Sequence, residues 1–114
     1  MIAHIVLLQP RQDLSEEQRR AALETLERAA ADVPEIRSFR LGRRVKHGLP
    51  GYEQRMTQDY EFVLIIEVDD MPALTRYLQA PAHRALGHLF STATAAALAY
   101  DYELPGGPAV PASA

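Results

Sequence analysis

Tyr77-Leu78-Gln79-Ala80-Pro81-Ala82-His83 sets a phenol and an imidazole on either side of a proline, and a second imidazole, His4, lies near the start of the chain. Pro81 has no backbone N–H to donate and pushes Ala80 out of the helical region. A helix carrying Tyr77 must end there, and a new one opens at Pro81. His83 then falls in the first turn after the break, where the partial positive charge of a helix N-terminus disfavours imidazolium. A neutral imidazole able to take a proton near pH 7 is what a general base requires. A phenolic O–H nearby suits the enolate that proton abstraction beside a carbonyl would leave. The competing reading is a histidine packed at a helix–helix corner with no chemistry to do.

Other chemistries find less support. There is no cysteine, which removes disulfides, thiolate catalysis and Cys-based metal sites. Ser91 has no distinctive turn around it and does not read as a nucleophile. Gly48 and Gly51 flank a proline and Gly106-Gly107 lies near the C-terminus, so no Gly-rich phosphate loop is present. His88 follows His83 by five residues and points elsewhere on a helix, while His47 sits in a polar loop. No metal ligand set and no cofactor is expected. The formal net charge of -3 argues against a nucleic-acid partner. No stretch approaches the roughly 18 apolar residues of a membrane span, and no leader pattern opens the chain, so a soluble cytoplasmic protein is expected.

The elements that must position these residues follow from period and punctuation. Ile2 to Leu8 is a strand apolar on both faces, ended by Pro10, with His4 sharing the face of Ile2 and Val6. Ser15-Glu16-Glu17-Gln18 fits a capping box, and Ala22, Leu23, Leu26, Ala29, Ala30 and Val33 recur at helical spacing up to Pro34. Ile36 to Val45 reads as a second, more polar strand, and Lys46 to Gln58 as a long loop of the kind that forms lids or partner contacts. Tyr60 to Val68 is the strongest strand, with Tyr60, Phe62, Leu64, Ile66 and Val68 on one face. Asp69 or Asp70 caps a helix with Pro72 in its first turn. After Pro81 a helix is expected from Ala82 to about Ala97, then a closing strand from Leu98 to Leu104. Residues 105–114 read as a disordered Pro/Gly/Ala tail.

Strand, helix, strand, strand, helix, strand is the ferredoxin-like βαββαβ order, an α+β fold with a four-stranded antiparallel sheet. Helices cover one face. Ala3, Ile5, Leu7, Val63 and Ile65 point to the other, and 114 residues leave nothing to cover it. A second copy facing the first, as a homodimer, is the economical solution.

Three segments carry a family likeness: "HIVLL" opening with His4, "YLQAPAHRALG" from Tyr77 to Gly87, and "YDYE" from Tyr100 to Glu103. Over residues 1–104 the chain resembles the stress-responsive A/B barrel (Dabb) domain family. The resemblance implies a dimeric α+β barrel. A plant polyketide cyclase of that family closes a linear chain by intramolecular aldol condensation. Its working residues are a first-strand His, a helix Tyr and the His of the "PAH" motif, which the resemblance places on His4, Tyr77 and His83. The sequence departs from the cyclase around that motif and in the loop 46–58. Two functions therefore stay open. One is a non-catalytic dimer that holds a small apolar ligand, such as a carbonyl compound, or acts as a stress-related structural protein. The other is a cofactor-free cyclase, aldol-type lyase or isomerase with His83 as base, Tyr77 as orienting donor and His4 as a second polar contact. A cofactor-free monooxygenase on a related barrel is a further alternative, although the chain has neither Trp nor Asn.

Overall fold

The computed structural model describes residues 1–105, so the expected tail lies outside the described residues beyond Pro105. Seven principal elements follow one another: β1 (Ile2–Pro10), α1 (Glu16–Ala31), β2 (Ile36–Arg43), β3 (Phe62–Val68), α2 (Met71–Gln79), α3 (Pro81–Ala93) and β4 (Thr94–Glu103). The strands form one sheet in the order β2-β3-β1-β4, with every neighbouring pair antiparallel. This is a ferredoxin-like α+β fold.

Local chemistry fixes the helix starts. The Ser15 hydroxyl accepts from Gln18 N (3.1 Å), and the Gln18 side chain accepts from Ser15 N (2.8 Å), which completes the capping box. The Asp70 carboxylate accepts from Ala73 N at 2.9 Å and caps α2.

Register decides which side chains share a face. Ile2, His4, Val6 and Leu8 stand opposite Val68, Ile66, Leu64 and Phe62 on β3, and opposite Glu103, Asp101, Ala99 and Ala97 on β4. All three helices pack on this side. One apolar cluster joins Ile2, Ile66 and Val68 to Leu74 and Tyr77 of α2; another joins Val6, Leu8 and Leu64 to Leu26 of α1 and Leu86 of α3. His4 falls between the two clusters along β1 and is the only buried polar or charged side chain among the described residues.

The opposite face carries Ala3, Ile5 and Leu7, paired with Glu67, Ile65 and Val63 on one side and with Tyr102, Tyr100 and Leu98 on the other. No helix covers it, and both tyrosines are more than half exposed.

Several boundaries differ from expectation. The helix after Pro81 stops at Ala93 rather than near Ala97, and β4 begins at Thr94 rather than Leu98. Alanines favour helix on propensity alone. Here Ala96 and Ala97 are taken into the sheet opposite Gln9 and Leu8, so strand pairing overrides the preference. Thr94 marks the switch: its backbone turns extended, and its hydroxyl donates to the Phe90 carbonyl in the last turn of α3. Leu104 lies beyond the strand, with its N–H on the Met1 carbonyl (2.8 Å). β2 and β3 are also each two residues shorter at the loop end than the sequence suggests, ending at Arg43 and starting at Phe62.

Candidate functional site

The break at Pro81 forms as the sequence requires. Ala80 is extended (φ -68°, ψ 146°) and serves at once as the last cap of α2 and the first of α3. Its N–H donates to the Tyr77 carbonyl (3.1 Å), and its carbonyl accepts from His83 N (3.0 Å). This tight corner folds α3 back so that His83 approaches Tyr77, six residues earlier.

His4 completes the group from the sheet below. The ring centroids are 5.1 Å apart for Tyr77 and His83, 5.6 Å for His4 and Tyr77, and 6.3 Å for His4 and His83. All three pairs meet edge to face, the favourable approach for aromatic rings. The three residues singled out from sequence thus come together, although 79 positions separate His4 from His83.

The fourth member, Asp101, was not anticipated. Its carboxylate lies 2.6 Å from His4 Nδ1. A carboxylate only accepts, so Nδ1 of His4 carries a proton and donates it to Asp101. The signal was present in the alternation of "YDYE", but locating it needs the β1–β4 register, which sets His4 opposite Asp101.

Electrostatics divides the roles. Burial pushes the Tyr77 hydroxyl up to about 12, with the Asp101 charge adding to it, so Tyr77 stays a neutral O–H at physiological pH. His83 is held below the usual histidine value, chiefly by burial and then by neighbouring His4. The Leu78 backbone and Asp101 pull weakly the other way. The neutral ring expected from the helix end is therefore neutral for another reason, desolvation.

An open cleft of about 370 Å³ reaches this group. His4, His83, Val6, Leu78, Phe90 and Ala99 are among its walls. Tyr77 is not on the cleft wall: it is 1% exposed and stands behind the two imidazoles. The other histidines stay apart. His47 sits in the β2–β3 loop, edge to face with Tyr52 at 4.9 Å, and His88 is on the exposed side of α3. Among the described residues no group of three or more His, Asp or Glu side chains gathers in a way that could hold a metal ion. No helix of the described residues is long and apolar enough to cross a membrane.

Known proteins agree with this architecture. No curated protein matches the chain. Among solved structures, the chain is similar to a dimeric ferredoxin-like protein of unknown function from Thermobifida fusca (TM-score 0.71, 22% identity, 90% of either chain covered). It is also similar to a Dabb family protein from Mesorhizobium loti (TM-score 0.75, 21% identity, 92% of this chain and 97% of that one). A third likeness is to a hydroxynitrile lyase from Passiflora edulis (TM-score 0.78, 15% identity, 95% and 96% covered). Identities this low speak for the shared fold alone. The sequence profile of the Stress responsive A/B Barrel Domain matches residues 2–104, and the chain belongs to that family, Dabb.

Proposed function

We propose that this protein is a homodimer whose subunits each hold a small, largely apolar carbonyl compound in the cleft above His4 and His83. The carrying observation is a mostly apolar cleft with two imidazoles at one end, one bonded to a carboxylate and the other held neutral. Such a lining suits a neutral ligand with one polar end. Dimerisation is supported by the uncovered apolar sheet face and by the dimeric state of the Thermobifida fusca relative. A cytoplasmic setting belongs to the same reading and suits a cysteine-free chain.

One observation favours a catalytic version of the same site. A neutral His83 beside a neutral Tyr77 can take a proton from the carbon next to a ligand carbonyl, leaving an enolate, and return it afterwards. His83 would be the base; Tyr77 and His4 would orient it.

Acetophenone, a small neutral ketone with exchangeable methyl protons, separates the two versions. Titration followed by the imidazole carbon-bound proton signals should shift His4 and His83, and the response should be lost in His83→Ala. Shifts confined to other residues, or none, would overturn the site. In heavy water the catalytic version requires methyl-proton exchange that falls by roughly 10²–10⁴-fold in His83→Ala. Binding without enzyme-dependent exchange leaves the non-catalytic version.

A further inference from the structure

We propose that the loop joining β2 to β3 in one chain lies on the partner's β4 and closes the open side of the partner's histidine cleft. The inference rests on the homodimer reading above.

The loop is built rather than loose. At its neck Arg44 and Lys46 both reach Asp59 (2.6 and 2.7 Å), and Arg44 N donates to the Glu61 carbonyl (2.8 Å). At its tip the Glu53 carboxylate accepts from Gly48 N, and the His47 ring meets Tyr52. Gly48 and Gly51 take φ of 76° and 90°, a region L side chains rarely adopt. Several of its polar groups are thus spent inside the loop, while its large apolar ones are not: Val45 is 85% exposed, and Leu49, Tyr52 and Met56 each more than half. Four large apolar side chains displayed by an internally braced loop mark a contact surface.

The position of the loop identifies the occupant as a second copy. A cleft of about 400 Å³ beneath it is lined by Met56 and Tyr60 from the loop, and by Leu7 and Val63, which belong to the uncovered sheet face. The loop is therefore continuous with the face that meets the partner. The sheet order puts β2 at one edge and β4 at the other. Two sheets facing each other about a two-fold axis parallel to their strands bring each β2 edge over the partner's β4 edge, and the contact occurs twice. Level along the strands agrees as well. The loop leaves after Arg43 and returns at Phe62, and Phe62 pairs with Leu8, which pairs with Ala97 on the far side. The loop thus stands at the height of Ala97 and Ala99 and not of Glu103, and by reaching round the partner's β4, an edge strand, it meets these exposed residues on the helix side, where they wall the histidine cleft.

A cysteine-free chain makes the test direct. Met56→Cys/Ala97→Cys and the control Met56→Cys/Glu103→Cys are oxidised at low concentration and run on a non-reducing gel, beside light scattering of the unmodified protein. A covalent dimer from the first pair and its loss in the control supports the proposal. A dimer by scattering with no covalent dimer, or with equal yield from both pairs, overturns the loop placement and leaves the homodimer standing. A monomer by scattering overturns both. Maleimide labelling of Ala97→Cys adds a second reading: it should accelerate when Tyr52→Ser and Met56→Ser are introduced, and an unchanged rate would contradict a loop that covers the cleft.

Discussion

At the scale of single residues, the site depends on one charge-assisted hydrogen bond and one desolvated ring. Asp101 holds His4 by Nδ1 in a position where only 5% of the His4 residue is exposed. Asp101→Ala would leave that N–H without its partner in an apolar setting, so stability should fall by about 1–3 kcal/mol in denaturant unfolding. A loss below the error of the measurement would mean that the ring finds water or another acceptor. His83 gives a pH prediction of definite sign. Its folded-state value lies below the ordinary 6.5, so between the two values the unfolded chain binds the extra proton. The contribution of His83 is intact above about pH 6.5 and is lost as the pH falls through that value towards the lower folded one. Melting temperature should drop across that interval, and less steeply in His83→Gln. Tyr77 behaves oppositely to alkali. With its hydroxyl raised to about 12, the unfolded chain ionises first, from near pH 10 upward, and stability falls there in the native protein but less in Tyr77→Phe. His4, Tyr77 and His83 were legible in the sequence because residue type and the proline between two of them carry chemical meaning. Asp101 was not, because an aspartate in an alternating strand looks like any solvated carboxylate until register sets it against a histidine.

At the scale of elements, strong local signals gave the right structure and weak ones were overruled from outside. Capping residues and Pro81 dictate backbone geometry through sterics and missing donors, so the starts of α1, α2 and α3 could be read directly. The alanine run 95–97 carries no such instruction: its propensity says helix, and the open edge of β1 takes it as strand. The Pro81 corner is the element-level feature the site cannot lose, since it alone turns His83 back towards Tyr77. Pro81→Ala removes the restriction on Ala80 and frees the unfolded chain. Unfolding stability should fall by about 0.4–1 kcal/mol, because alanine can adopt the same backbone without clash. The His83 imidazole signals should also broaden or move as the corner loosens. A variant with unchanged stability and unchanged His83 signals would show that packing of Leu86 and Tyr77, rather than proline, holds the corner.

At the scale of the whole molecule, the two faces of the sheet have different fates. On the helix side, buried aliphatic side chains form two clusters that sandwich His4. On the other, Ile5, Leu7, Val63 and Ile65 form a central apolar strip flanked by exposed Tyr100 and Tyr102. Apolar alternation on both faces of β1 made that strip visible in the sequence. The aromatic flank was also alternating there, but its side of the sheet could be assigned only once the pairing of β4 with β1 was known. Val63 lies near the start of β3, opposite Leu7 within the strip, and is only half-buried in a single chain. A carboxylate at that position can stay hydrated in a lone subunit, so Val63→Glu should still fold, with an unchanged far-ultraviolet circular dichroism spectrum. In a face-to-face dimer the same carboxylate would be taken from water without a partner, at a cost of several kcal/mol per buried charge. The two-fold relation introduces two such charges into one interface. The unmodified chain should therefore scatter light as a dimer at micromolar concentration and Val63→Glu as a monomer. A variant that folds and remains dimeric would show that the subunits associate through another surface.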